Sequence, residues 1–183
     1  NPLNWQGGSV PGPTNTAIFD TNCNALCNAT VDTNSSVGGV LLKSDFTGSI
    51  TQAAGQSLTI GTSGWTQSAG TFNGGSSPVY LNNSTFTLSG GTYNATSDET
   101  VFAGNSTSNF NGGTFNHSNG TWRFATVQSG SSSNVTYSVA MTGASVTFYN
   151  LIAEGRSDTG WAKYQLSVPT TKSIVVAGTF TIG

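Results

Sequence analysis

One short phrase recurs along this chain at a nearly constant interval, and few folds tolerate that. Ala69-Gly-Thr-Phe-Asn73, Gly90-Gly-Thr-Tyr-Asn94 and Gly112-Gly-Thr-Phe-Asn116 are almost the same pentapeptide, with threonines at 71, 92 and 114. The interval is about 21 residues, the size of one supersecondary unit in a stacked array. Related triplets extend the column backwards through Ser49-Ile-Thr51 to Thr30-Val-Asp32, and forwards to Thr136-Tyr-Ser138 and Gly178-Thr-Phe-Thr181. A second column reads Val40-Leu-Leu42, Leu58-Thr-Ile60, Val79-Tyr-Leu81, Val101-Phe-Ala103, Trp122-Arg-Phe124 and Val146-Thr-Phe148. A weaker third reads Trp65-Thr-Gln67, Phe86-Thr-Leu88 and Ser108-Asn-Phe110. Three short strands per interval, separated by Gly, Ser and Asn, predict an all-β fold: a parallel β-solenoid whose coils stack at the ordinary strand spacing.

Strand side chains alternate between two faces. In Thr-aromatic-Asn the aromatic therefore points inward and the two polar residues outward. Val31, Ile50, Phe72, Tyr93, Phe115, Tyr137 and Phe180 are expected to form one inner stack. Thr30, Ser49, Thr71, Thr92, Thr114 and Thr136 are expected to form an outer ladder, flanked by Asp32, Thr51, Asn73, Asn94, Asn116 and Ser138. The alternative, a β-sandwich, would need hairpin turns between the columns, and no two-residue Asn-Gly turn joins them. The expected organisation is an N-terminal cap with a disulfide loop over residues 1–28, parallel coils over 29–148, and irregular last coils with C-terminal strands over 149–183.

Composition agrees with this reading and removes others. Gly, Ser, Thr and Asn supply 95 of the 183 residues, and only 7% of residues are charged. Strong helix formers are scarce, which argues against a helical bundle. Five Lys plus Arg and a net charge of −2 give no basic patch for phosphate tracking, so no nucleic-acid partner is expected. No apolar run nears the ~20 residues of a membrane span. The 19 aromatic residues, spread along the whole chain, set it apart from disordered polar sequences.

Cys23 and Cys27 are the only cysteines. They lack the C-x-x-C spacing of a redox pair and further Cys or His ligands for a metal, so a local disulfide in an oxidising compartment is expected. The single histidine, His117, sits in a polar turn, Asn116-His-Ser-Asn-Gly120, and is not placed to serve a nucleophile. No catalytic residue, metal or cofactor is expected, and the chain reads as no enzyme. The one cluster of charges is Glu154, Arg156 and Asp158, followed by Trp161 and Lys163, a candidate glycan-binding loop in which an aromatic ring could stack on a sugar. Nine Asn-x-Ser/Thr sequons, at Asn28, Asn34, Asn82, Asn83, Asn94, Asn105, Asn116, Asn119 and Asn134, are candidate glycosylation sites. Ice binding by threonine would need a flat two-column Thr array, which the mixed second column does not supply.

The opening also bears a resemblance. Trp5-Gln-Gly-Gly-Ser-Val-Pro-Gly-Pro13, Thr16-Ala-Ile-Phe-Asp20, Val31-Asp-Thr33 and Val37-Gly-Gly-Val40 are similar to the start of bacterial surface β-helix repeats. Those repeats occur in autotransporter-passenger-like and filamentous-haemagglutinin-like proteins with a pectin-lyase-like right-handed β-helix. The resemblance covers residues 5–148. It implies secretion or cell-surface display and a structural or adhesive role as a module or extracellular fibre, without catalysis by the coils. The implied partners are surface glycans and other copies or neighbouring modules, met through exposed end strands. The alternative is a carbohydrate-binding or carbohydrate-active β-helix using the 154–163 loop.

Overall fold

The computed structural model describes residues 5–22, 27–104, 106–125, 135–154 and 164–183. Nineteen β-strands and no helix make up the described chain, and every strand pairing is parallel. The fold is all-β and solenoid-like, with a curled sheet and three runs of stacked strands. The first run holds residues 58–60, Val79–Asn82, Glu99–Ala103, Thr121–Ala125, Asn150–Ala153 and Phe180–Ile182. The second holds Thr16–Phe19, residues 39–42 and 65–67, Thr85–Leu88, Ser106–Phe110, Val135–Met141 and Tyr164–Ser167. These two faces belong to one sheet because Ser35–Leu42 and Leu58–Gln67 run round the corner between them. The third face holds Ala29–Val31, Ser49–Gln52, Thr71–Asn73, Thr92–Asn94 and Thr114–Asn116, then Ser145–Phe148 and Ser173–Val176 as a separate pair. The ladder thus takes in Thr16–Phe19, within the expected N-terminal cap, and runs on through four strands of the expected irregular region.

Strict alternation places the core. Val79–Asn82 buries residues 79 and 81, and Thr71–Asn73 buries only Phe72. Trp65, Phe72, Phe86, Tyr93, Phe102, Phe124, Tyr137 and Phe148 are all essentially inaccessible. Phe72 stacks on Tyr93 at 4.8 Å, and Tyr93 on Phe115 at 6.2 Å, because each ring rises from the same strand position of successive coils. Burying such rings from three sides fills the narrow interior without any second layer.

The corner before each Thr-aromatic-Asn strand needs glycine. Gly91 has φ +73°, and a Cβ there would run into the Gly70 carbonyl of the preceding coil. Gly113 has φ +69° and faces Gly91 in the same way. The tight turn and the close stacking of coils both exclude a side chain.

Two buried glutamines hold other corners. Gln52 donates from Nε2 to the carbonyls of Gln56 and Ser77 and accepts at Oε1 from the Gly75 N–H. Gln67 donates to the Gly70 and Thr92 carbonyls and accepts from the Trp65 indole N–H at 3.3 Å. Each satisfies backbone groups that the turning chain leaves without ladder partners.

Several expected positions are corrected. Ala29, not Val31, aligns with Ile50, and Val31 aligns with Gln52. Thr30 therefore joins Thr51 rather than Ser49. Tyr137 lies on the second face between Ser106 and Leu166, not above Phe115; it is buried and stacks on Phe124 at 5.1 Å. Phe180 pairs with Leu151 on the first face and is 49% exposed. On that face Thr100, not Val101, lines up with Val79. Val40 belongs to the second face and Val146 to the third.

Candidate functional site

The outer surface carries three arrangements with chemical character. The first is an ion cluster on the first face. Arg123 stands one coil beyond Val101 and one before Ile152. Its Nη1 lies 3.1 Å from Glu99 Oε2, and its Nη2 bonds Glu154 Oε1. Hydrogen bonding to Glu154 raises the guanidinium pKa above its ordinary value; burial opposes it, and a weaker hydrogen bond to Glu99 adds to the rise. The cation is spanned by two carboxylates, so the cluster ties coils together and offers neither a free base nor an open cation. Of the expected 154–163 loop only Glu154 is described, and it is occupied here; Arg156, Asp158, Trp161 and Lys163 lie outside the described residues. Among the described residues no three His, Cys, Asp or Glu come together as a metal site, and no helix is long and apolar enough to cross a membrane.

The second is a polar ladder on the third face. Ser49, Thr71, Thr92 and Thr114 are in register, as are Thr51, Asn73, Asn94 and Asn116. The amides are chained: Asn94 Nδ2 donates to Asn73 Oδ1 at 2.8 Å, and Asn116 Nδ2 donates to Asn94 Oδ1 at 2.7 Å. Every link runs the same way, so the ladder ends at Asn116 with its carbonyl oxygen outward.

The third is a break in that face. Thr114–Asn116 pairs with Thr92–Asn94 but not with Ser145–Phe148, which pairs only with Ser173–Val176. The two strands share no ladder pairing, although the Phe115 and Phe148 rings meet at 5.6 Å beneath the break. A cavity of about 370 Å³ opens along the break, lined by Phe110, Phe115, Met141, Thr142, Ser145 and Thr147 among others. Beside it, a smaller pocket is lined by Phe115, His117, Trp122, Phe148 and Tyr149. Trp122 is 2% exposed, and its indole N–H has no partner among the described residues. The sequence reading missed this break; its one signal is the lengthening of the interval after Thr114.

The sequons divide by geometry. Asn28 Oδ1 accepts from the Ser49 N–H and hydroxyl, and Asn34 Oδ1 from those of Ser57. Asn94 and Asn116 have their Nδ2 groups, where a glycan would attach, committed to the ladder. Asn82, Asn83 and Asn119 are exposed at turns, the last two with φ +48° and +60°. Asn105 and Asn134 lie outside the described residues. Cys27 is half-buried against the core, and no free cysteine occurs among the described residues; Cys23 lies outside them.

No family model matches the chain, and no curated protein or solved structure is significantly similar to it.

Proposed function

We propose that this chain is a structural or adhesive module of a secreted cell-surface protein or extracellular fibre, built as a right-handed parallel β-helix with coils of about 21 residues and stacking end to end. The observation that carries the reading is the last coil. Phe180 and Ile182 are 49% and 71% exposed on a strand partnered only on its Leu151–Ala153 side. Val175, 44% exposed, stands beside them on a strand partnered only by Ser145–Phe148. An open, apolar strand edge is a template for further strands, and its natural cover is another coil, supplied by a following module of a longer chain or by a neighbouring copy. Head-to-tail cover of that kind is heterologous and propagates as a filament wherever the rotation does not close. The uncharged hydroxyl and amide ladders on the flanks suit contact with neutral surfaces such as glycans. The Cys23–Cys27 bridge, in this reading, staples the first coil in an oxidising compartment, and the coils do no catalysis.

The test uses the 183-residue chain. Wild-type protein should form oligomers or fibres by light scattering and electron microscopy as its concentration rises. Ile182→Lys, at a largely exposed edge position, should leave the circular dichroism spectrum intact and keep the protein monomeric. A wild type that stays monomeric at high concentration, or a variant that assembles equally well, overturns the stacking.

A further inference from the structure

We propose that Asn111-Gly112 is a self-modifying corner of the solenoid, where the asparagine converts through a succinimide to aspartate and isoaspartate ahead of the chain's other Asn-Gly pairs. The inference rests on local geometry and is independent of end-to-end stacking.

The chain holds three Asn-Gly dipeptides, at 73–74, 111–112 and 119–120, each at a bend between strands. In an unfolded chain all three are open to the same reaction, because glycine has no Cβ to shield its nitrogen. The glycine nitrogen gives its proton to hydroxide and attacks the asparagine Cγ. An N–Cγ bond forms, the Cγ–Nδ2 bond breaks, and ammonia leaves with a proton taken from water. Water then opens the five-membered ring at one carbonyl or the other, leaving aspartate or isoaspartate. Nothing is oxidised or reduced, and water is the only co-reactant.

Folding makes the three unequal. The attack needs an unbonded glycine N–H, an unbonded side-chain amide, and freedom to turn the backbone between them. At the first pair the Gly74 N–H bonds the Asn94 carbonyl at 2.8 Å, and Asn73 Oδ1 accepts from Asn94 Nδ2 at 2.8 Å. At the third, the Gly120 N–H bonds the His117 carbonyl at 2.9 Å, and the Asn119 N–H is held by His117 Nδ1 at 3.1 Å. Gly120 is also buried, and Asn119 stands at φ +60°. Asn111 differs on each count. It is exposed, its side chain makes no hydrogen bond, and the Gly112 N–H has no partner among the described residues. The corner is pinned only on either side of the reacting atoms, by Asn111 N–H to the Leu88 carbonyl and Thr114 N–H to the Gly91 carbonyl, both at 2.8 Å.

Packing keeps the glycine in place, since a Cβ at residue 112 would come 2.5 Å from the Ser89 carbonyl oxygen of the preceding coil. The asparagine is not so constrained. One and two coils earlier the same corner position is Ser89 and Ser68, whose hydroxyls bond each other at 3.1 Å, and serine cannot form the ring. Conversion at Asn111 adds a negative charge, and isoaspartate adds one atom to the main chain between the two pinned amides. Both changes fall at the rim of the break, in a cavity with no charged residue in its described lining.

The intact protein is aged in warm, mildly alkaline buffer and mapped by peptide mass spectrometry with fragmentation that separates aspartate from isoaspartate. Asn111 should convert at least about tenfold faster than Asn73 or Asn119, whose glycine N–H groups must first leave their hydrogen bonds. In urea the three should convert at similar rates. Asn111→Ser, which copies the preceding coils, should keep the circular dichroism spectrum of wild type and remove the acidic species that ion exchange separates from aged protein. The proposal is overturned if Asn73 or Asn119 keeps pace with Asn111 in the folded protein, if Asn111 stays intact there while all three convert in urea, or if Asn111→Ser leaves the acidic species undiminished.

Discussion

The chain before Thr121 and the chain after it are built to the same plan at different coil lengths. The first coils are slightly longer, as in Val40 to Trp65; from Ser49 to Thr121, ladder partners are 21 or 22 residues apart, as in Asn73 to Asn94 and Asn94 to Asn116. After it, Thr121 aligns with Asn150, and Asn150 meets Thr179, each 29 residues on. The added residues fall at 126–134 and 155–163, between the first and second faces. Those two faces continue pairing without interruption across the change. The third face does not: it breaks between Thr114–Asn116 and Ser145–Phe148. The break coincides with the change to longer coils, whereas the earlier change, from 25 residues between Val40 and Trp65 to 21 between Trp65 and Phe86, leaves its ladder unbroken.

That contrast predicts unequal costs for equal truncations. Phe72→Ala removes a fully buried ring, flanked by Trp65 at 4.8 Å and Tyr93 at 4.8 Å, from the regular half. It should cost about 3–5 kcal/mol in denaturant unfolding. Phe115 stands at the border and is half-buried among the rings of Tyr93, Phe110, Trp122 and Phe148. Phe115→Ala should cost less, about 1–3 kcal/mol. Equal values would mean that the break is closed in solution.

Glycines give the next largest difference. Gly91→Ala puts a Cβ against the Gly70 carbonyl at positive φ and should cost about 1–3 kcal/mol. Gly143, in the turn entering Ser145–Phe148, meets nothing nearer than the Ser145 carbonyl at 3.8 Å and has no positive φ. Gly143→Ala should fall within about 0.5 kcal/mol of wild type. Thermal midpoints of the two variants make the comparison directly.

The amide ladder sharpens it further. Asn94 both gives and receives an amide hydrogen bond, whereas Asn116 only gives one. Asn94→Ala should cost about 0.5–1.5 kcal/mol and Asn116→Ala less. A reversed order would place the open end of the ladder at Asn73 instead.

How much of this could be read in the sequence depends on coil length. Where the interval is constant, spacing alone identifies the stack: Phe72, Tyr93 and Phe115 share one column because Gly-Thr-aromatic-Asn fixes corner, face and register together. Tyr137 also sits in a Thr-aromatic-polar triplet, 22 residues after Phe115, but the coil there is longer and that spacing lands on a different face. Val31 fails for a related reason. Thr30-Val31-Asp32 fits the pattern, yet Ala29 takes the inward slot beside Ile50, and local alternation cannot choose between them. The break in the third face has no residue signature, since it arises from a pairing that is missing between two strands. The sequence reading assigned Gln52 and Gln67 no role, and they are buried, their amides bonded to corner backbone groups.

The smallest expected effect compares the ion pairs of the two regions. At the N-terminal end Lys43 Nζ lies 3.0 Å from Asp20 Oδ2, tying residues that follow neighbouring strands of the second face. A hydrogen bond from the Asn22 backbone N–H, then one from Lys43, holds the Asp20 carboxyl below its ordinary value of 3.8. Because the folded value is the lower one, folding favours the charged carboxylate. The stabilisation is fully present above the unfolded value and fades as pH falls through the folded value. Asp20→Asn should therefore lower the thermal midpoint slightly at neutral pH, by a difference that shrinks as pH falls through the lowered folded value. Added salt should shrink the neutral-pH difference, since the pair is solvent-exposed. In the other region Arg123 is shifted upward, beyond the range in which guanidinium loses its proton, so Arg123 itself does not titrate across that pH interval. Arg123→Gln should therefore lower the midpoint through the loss of its bonds to Glu99 and Glu154. An Asp20→Asn difference that survived at low pH would show that the residue acts through the turn it caps and not through its charge.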